Sequence, residues 1–495
     1  MMRETQSDVI AAVATPPGRA ALAVLRVSGP GSVKLVSGMI PALRGTGPED
    51  ARKLVHDFAL DSDDHPIEEV TAIPYFAPKS YTAEEMVEII CHGGFVASRA
   101  LLDRLVSLGA RIAEPGEFTK RAFLSGRISL SQAEAVAAAI EAKSELALKA
   151  AARNLKGELY ERIDNIRAGI ADLLTLLEAE IDFSDEEIDK TPVSRVRDII
   201  SGELEKAERV LKSYEFGRGL NAGYKIAIVG RANVGKSSLL NALLRRDRAI
   251  VTDIPGTTRD TLTEWIEIEG FPVLLTDTAG LREEGSDMVE AIGMQRTRNE
   301  IEQSDLVLFM IDSSSPITDE DLNIFRGLSD RPLLVLASKI DLIPDAPNSQ
   351  LATRNSQLAT IYSALSTQHS ALPAIPQSAI RNPQSVVPIS ALTSAGLEEL
   401  RDRIAAHLNL EGFNLDTALL ATERQYHAMK RAHETLIQAL AELDLSAVSV
   451  AESAPSAEVI SLYLRETLDH LGELVGETTT EDILNNIFGR FCVGK

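Results

Sequence analysis

The chain has 495 residues, 44% of them hydrophobic and 25% charged, with a formal net charge of -23 from 50 Lys and Arg against 73 Asp and Glu. This is the composition of a globular protein of about three domains, not of a disordered or fibrous chain. No apolar run approaches the ~20 residues of a membrane span, the two cysteines exclude a disulfide framework and point to a reducing compartment, and so acidic a chain holds nucleic acid only through a local basic patch or a second protein.

The start, M-M-R-E-T-Q-S-D, is polar and contains acids, which predicts no secretory or transit peptide and a cytoplasmic location. Ile10 to Ala14 and Ala21 to Val27 read as strands around a Pro16-Pro17-Gly18 turn. Ser32 to Met39 reads as a short helix, Met86 to Cys91 as a strand ending at His92-Gly93-Gly94, and Phe95 to Leu108 as a helix. Residues 1–125 are therefore expected to form an α+β domain with one sheet.

From about Ile128 the apolar spacing changes to three and four. Leu130 to Ile140 is Ala-rich, and Leu146 to Ile181 and Val193 to Leu211 read as long helices separated by the acidic stretch Asp182 to Asp189. Phe216-Gly217-Arg218-Gly219 and Ala222-Gly223 read as punctuation before a new domain. Helical spacing resumes after Leu410, in Leu419 to Leu443, Ser456 to Leu474 and Thr480 to Phe488. These last helices have little core of their own. Residues 126–218 and 409–495 are expected to form one discontinuous helical bundle, with a nucleotide domain, residues 219–408, inserted between them.

That insertion opens on the most informative stretch of the chain, Lys225 to Ser238. A short apolar strand, Ile226 to Val229, runs into Gly230 and then Gly235-Lys236-Ser237, followed by a helical run from Leu239. This is the phosphate-binding pattern G-x-x-x-x-G-K-[ST] in its strand–loop–helix setting. The glycines let the backbone curl so that N–H groups point at a polyphosphate, and the helix N-terminus adds positive potential. Lys236 supplies charge to the β- and γ-phosphates and Ser237 a hydroxyl to Mg2+. Asn233, Val234, Gly235, Lys236, Ser237 and Ser238 are the expected contacts.

Strands expected at Val273 to Thr276, Leu306 to Ile311, Leu333 to Ala337 and Val386 to Ile389 alternate with helices, as in a doubly wound sheet with its ligand at the strand carboxyl ends. Several segments fall at those ends. Asp277-Thr278-Ala279-Gly280 would hold the Mg2+ shell through water and offer the Gly280 N–H to a γ-phosphate. Gly256-Thr257-Thr258 would complete the Mg2+ site through Thr258 when the γ-phosphate is present. Ser338-Lys339-Ile340-Asp341 presents an aspartate that accepts from both N1–H and N2–H2 of guanine, which adenine cannot match. Ser390-Ala391-Leu392 offers a backbone N–H to guanine O6. The order of these segments predicts a Ras-like P-loop GTPase domain. Two positions depart from the usual pattern. Ser338 stands where GTPases carry an asparagine that braces the phosphate loop and touches the base, and its shorter side chain predicts reduced guanine affinity. Leu281 stands where Ras-like proteins carry a water-orienting glutamine, which leaves Glu290 as the nearest polar candidate. Within this domain, residues 345–384 are rich in Ser, Gln, Ala and Pro, with N-S-Q-L-A-T beginning at Asn348 and again at Asn355, and read as a low-complexity surface insertion.

Taken together, these stretches resemble the MnmE (TrmE) family of tRNA-modification GTPases along the whole chain. The resemblance rests on A-T-P-P-G-R-A, L-R-V-S-G-P, H-G-G, P-G-E-F-T-K-R-A-F-L, I-D-F-S-D-E-E-I-D, the GTPase set and the terminal F-C-V-G-K. Ser338 and the insertion fall outside the family pattern. The resemblance implies an N-terminal domain that dimerises and binds a 5-formyl-tetrahydrofolate-type one-carbon donor, with Arg26, Glu88, Arg127 and Lys495 at the folate contacts. Arg127 replaces the family's usual lysine, keeping the charge and changing the geometry. It implies a flavin-containing partner, MnmG (GidA), and joint modification of C5 of the tRNA wobble uridine with an aminomethyl or carboxymethylaminomethyl group. It implies that K+ takes the place of an arginine finger, held by Asn233, Thr252, Ile254 and Thr257. The run Thr252, Asp253, Ile254, Pro255, Gly256, Thr257 and Thr258 then lies at the nucleotide, with Glu290 as the catalytic glutamate. Cys492 reads either as a nucleophile or redox thiol or as a buried structural cysteine, and Cys91 as core. The GTPase set alone equally suits a regulatory or ribosome-assembly switch without modification chemistry. The N-terminal motifs and the F-C-V-G-K end favour modification.

Overall fold

The computed structural model describes residues 8–182, 191–246, 263–277, 299–328, 331–343, 386–410, 420–448, 457–478 and 480–495. The chain packs as two compact units, residues 1–140, 152–211 and 424–495, and residues 141–151 and 212–423.

The first unit contains a six-stranded sheet formed by β1 (Ile10–Val13), β2 (Leu22–Ser28), β3 (Val55–Leu60), β4 (Pro66–Tyr75), β5 (Met86–His92) and β6 (Arg111–Ile112), in the order β3-β4-β5-β2-β1-β6. All neighbours are antiparallel except β1 and β6. Alternate residues Leu25, Val27, Val87 and Ile89 turn to one face, where Leu101 and Leu105 of the helix Phe95–Ser107 join them with Val33 and Val36 of the helix Ser32–Val36. The β3–β4 hairpin was not legible in the sequence. Its alternation is diluted by His56, Asp57, Glu68 and Glu69, and of its apolar residues only Ala59, Val70, Ala72 and Pro74 are buried.

The rest of this unit is helical. Glu158–Asp182 buries Leu159, Ile163, Ile166, Ile170, Leu173, Leu174 and Leu177 along one stripe. It packs along Ala457–Val475, whose Ile460, Leu464, Leu471 and Leu474 are buried in turn. Segments from the middle and the end of the chain thus share one core, as the discontinuous bundle requires. Arg424 adds a bidentate pair to Glu134, at 2.9 and 2.8 Å. The spacing from Leu146 to Ile181 does not give one helix. Gly157, at φ 106°, divides it into Glu145–Lys156 and Glu158–Asp182. The chain ends against its own beginning: Phe488 and Phe491 pack on the helix Glu117–Leu124 near Phe123, Pro115 bridges Val493, and the Phe118 N–H donates to the Lys495 carbonyl at 3.2 Å.

The second unit is built on β7 (Tyr224–Val229), β8 (Thr263–Ile268), β9 (Phe271–Asp277), β10 (Leu306–Asp312), β11 (Leu333–Ser338) and β12 (Val386–Pro388), in the order β12-β11-β10-β7-β9-β8. Every pair is parallel except β8 with β9. Both faces are covered. Ile226, Ile228, Leu306, Leu308 and Met310 meet Leu239, Leu243, Leu400 and Ile404 of the helices Lys236–Arg246 and Leu397–His407. Ala227, Val229, Val307, Phe309 and Ile311 meet Phe325 of the helix Asp319–Gly327. This explains why β10 reads as an unbroken apolar run rather than an alternating one. The glycines around Phe216 prove not to punctuate: Tyr214–Ala222 is a helix. Gly219 serves close approach, since a Cβ there would lie 2.3 Å from the Tyr224 ring.

Candidate functional site

The parallel topology brings the carboxyl ends of β7, β9, β10 and β11 together, and the phosphate-loop residues lie there. Gly230 leaves β7 so close to β10 that a Cβ would sit 2.6 Å from the Met310 carbonyl. Asn233 and Gly235 adopt positive φ, 61° and 101°, which curls the loop. Lys236 begins the following helix. It is buried, and its Nζ arches back to donate to the Gly230 and Arg231 carbonyls at 2.7 and 2.8 Å. Ser237 donates its hydroxyl to Asp277 Oδ2 at 2.6 Å, and Asp277 is fully buried at the end of β9. A serine hydroxyl and a carboxylate converging at a helix N-terminus form an oxygen donor set suited to Mg2+, and the curled loop beside them suits phosphate.

The segments expected to read the base lie at the same edge. Lys339, in the left-handed region at φ 59°, follows β11 and pairs with Asp312 at 2.7 Å. Burial raises the Asp312 carboxyl, but hydrogen bonds from Lys339 and Ser314 outweigh it and hold the group below the usual carboxylate range. Asp341 Oδ1 accepts from the Ser390 hydroxyl at 2.6 Å, which links two expected base contacts. The Ser390 N–H is taken by the Ala395 carbonyl at 2.9 Å, so an N–H offered to O6 comes from Ala391 or Leu392. Ser338 is buried and its hydroxyl donates to the Val234 carbonyl at 2.7 Å. The short side chain therefore keeps the brace to the phosphate loop. Sequence reasoning missed a second brace: Arg231 donates to Ser315 Oγ at 2.5 Å and stands 3.4 Å from the fully buried Asp321.

A second polar cluster lies on the sheet of the first unit. Arg26 on β2 and Glu88 on β5 are cross-strand partners and form an ion pair at 2.9 Å. Tyr75 on β4 donates to the other Glu88 oxygen at 3.2 Å. The guanidiniums of Arg26 and Arg127 each lie over the Tyr81 ring, 4.9 and 5.0 Å from its centroid. Arg127 Nη1 also donates to the Tyr81 carbonyl at 2.9 Å. Arg26 Nη1 is buried without a partner. Lys495 reaches this cluster through the folded-back tail. Burial first, then the charge of Arg26, hold its amine below the usual lysine range. Lys495 and Cys492 line a cavity of 550 Å³ walled by Val13 to Pro17, Leu22 and Phe95. Cys91 is buried, whereas Cys492 is exposed, which removes the buried structural reading of that thiol. Tyr75 and Tyr81 were not singled out from sequence, because neither carries a motif.

Residues 9–127 match the family described as GTP-binding protein TrmE N-terminus, and residues 130–492 match the MnmE helical domain. The chain is 40% identical to the tRNA modification GTPase MnmE of Aquifex aeolicus over 99% of its own length and 100% of that protein. It is 39% identical to the protein of the same name from Thermotoga petrophila, with the same coverage. The chain belongs to the MnmE family of tRNA modification GTPases. Among solved structures, Era of Aquifex aeolicus bound to GDP and aluminium fluoride is 27% identical over 43% of this chain and 66% of its own, at a TM-score of 0.28 that supports no further comparison.

The remaining MnmE-type positions lie outside the described residues: Thr252, Asp253, Ile254, Pro255, Gly256, Thr257, Thr258, Thr278, Ala279, Gly280, Leu281 and Glu290, together with the insertion 345–384. Among the described residues, no helix is long and apolar enough to cross a membrane.

Proposed function

We propose that this member of the MnmE family is a K+-activated, cytoplasmic GTPase. It acts with the flavoprotein MnmG (GidA) to install an aminomethyl or carboxymethylaminomethyl group at C5 of the tRNA wobble uridine. The observation that carries this reading is the convergence of Lys236, Ser237 and Asp277 beside a loop that Ser338 ties to the guanine-reading strand end. Lys236 exchanges its two loop carbonyls for β- and γ-phosphate oxygens and neutralises charge that grows as the γ-phosphoryl leaves. Ser237 and Thr258, with Asp277 through water, would hold Mg2+, which would supply positive charge to the phosphates. Asn233, Thr252, Ile254 and Thr257 hold K+, which supplies the cation that other GTPases take from an arginine finger. Glu290 orients the attacking water. Asp341 reads the base edge of GTP and GDP.

In the first unit, Arg26, Glu88, Arg127 and Lys495 hold a folate-type one-carbon donor such as 5-formyl-tetrahydrofolate. The unpartnered Arg26 Nη1 and the lowered Lys495 amine support an anionic or carbonyl-bearing ligand there, and the Tyr81 ring supports a flat one. Leu22, Phe95 and Val96, exposed at 58%, 69% and 79%, support self-association of the N-terminal domain into a homodimer. The net charge of -23 supports recognition of tRNA through a local patch or through the partner.

Calorimetry with Mg2+ tests the nucleotide half: heat with GTP and GDP but not ATP is expected, and heat with ATP alone overturns it. Analysis of wobble uridine in cells lacking the protein tests the other half. Loss of the C5 group supports modification, and an unchanged uridine leaves the switch reading in its place.

A further inference from the structure

The Ser338 side chain has one proton and two claimants for it. Its oxygen lies 2.7 Å from the Val234 carbonyl and 3.1 Å from the Ile311 carbonyl. Both are acceptors only, and a hydroxyl donates once. Whichever carbonyl takes the proton, nothing remains to donate to a ligand. The residue is also buried, held beneath the loop at the end of β11, with its own carbonyl accepting from the Ser313 N–H at 3.1 Å and from the Ser313 hydroxyl. An asparagine has two N–H donors and can brace the loop with one while offering the other to a base. Asp341, by contrast, is an acceptor and serves only the N1 and N2 edge of guanine.

We infer that position 338 gives no hydrogen bond to purine N7, so that this pocket binds 7-deazaguanine nucleotides as readily as guanine nucleotides and selects the base through its N1 and N2 edge alone. The inference rests on the GTPase reading above and sharpens its specificity. In 7-deazaguanine a C–H replaces N7, which removes one acceptor and leaves O6, N1 and N2 in place. A pocket that spends a donor on N7 penalises the analogue by the worth of one hydrogen bond, about five- to tenfold in affinity. A pocket that spends none does not notice the change.

The test is displacement of a fluorescent GDP from the full-length protein in Mg2+ by GDP, 7-deaza-GDP and ADP. GDP and 7-deaza-GDP are expected to compete equally, within about twofold, and ADP to compete far more weakly. Ser338→Asn is expected to tighten GDP about five- to tenfold and leave 7-deaza-GDP unchanged. Ser338→Ala, which removes the brace but no base contact, is expected to weaken both guanine analogues by the same factor. A wild-type preference for GDP of about fivefold or more overturns the inference, and so does a Ser338→Ala loss confined to GDP. Failure of the fluorescent GDP to bind at all, with a fluorescent ADP binding in its place, overturns instead the GTPase reading on which it rests.

Discussion

The nucleotide pocket and the Arg26 cluster are both polar sites on a sheet, but they are assembled in opposite ways. The pocket takes Gly230, Asn233, Gly235, Lys236 and Ser237 from one run of eight residues, and the strand order only adds Asp277, Ser338, Asp341 and Ser390 at neighbouring strand ends. The second cluster takes Arg26 and Glu88 from two strands, Tyr81 and Arg127 from loops, and Lys495 from the last position of the chain. A local turn holds the first together. The second depends on the tail finding its place beside β1, where a Cβ on Gly494, at φ 93°, would lie 2.7 Å from Ala14 Cα. The contrast implies that single changes should disable one site and spare the other.

The largest effect is expected from Lys236→Ala, which removes the lysine charge proposed to meet the β- and γ-phosphates. GTP turnover should fall on the order of 10²-fold or more, while the proposed folate binding, measured by calorimetry, stays unchanged. A parallel loss of folate binding would break the separation. Next comes Asn233→Ala. Turnover of the parent protein in K+ should exceed that in Na+ at equal ionic strength by on the order of tenfold or more, and the variant should show the same slow rate in both salts.

Gly494→Ala probes the other arm. Strain at positive φ and the clash with Ala14 should displace Lys495 and weaken folate binding about tenfold, with nucleotide affinity unaltered. Equal affinity for folate would show that the tail position is not needed for that site. The smallest effect concerns Asp312. Its carboxyl is held below the ordinary value of 3.8, so its pairing with Lys339 contributes stability that is fully present above about pH 4 and lost as pH falls through the lowered value. Asp312→Asn should cost about 1 kcal/mol at neutral pH and flatten the acid limb of the unfolding curve. Chemical denaturation at pH 7 and pH 3 measures both.

Much of the nucleotide pocket was legible because its chemistry is bound to backbone shape. Glycines, a lysine and a hydroxyl at fixed spacing between an apolar strand and a helix leave little freedom in the answer. The parallel sheet was legible in β10, whose seven buried residues need cover on both faces. The β3–β4 hairpin was not, because acids and histidines interrupt its alternation. Nor was the helix Tyr214–Ala222, since a glycine placed for contact with Tyr224 looks in sequence like one placed for a turn.

The sequence alone determined the two-face burial of the nucleotide sheet, the phosphate loop and the segments proposed to read guanine, because each follows from spacing within a few turns or strands. Only the tertiary structure decided that Ser338 still braces the loop and spends its single proton doing so. Only it decided that Tyr81 lies against both Arg26 and Arg127, and that the final lysine stands beside an arginine 469 positions earlier in the chain. Those are contacts between side chains far apart in sequence, and no local pattern encodes where a distant segment comes to rest.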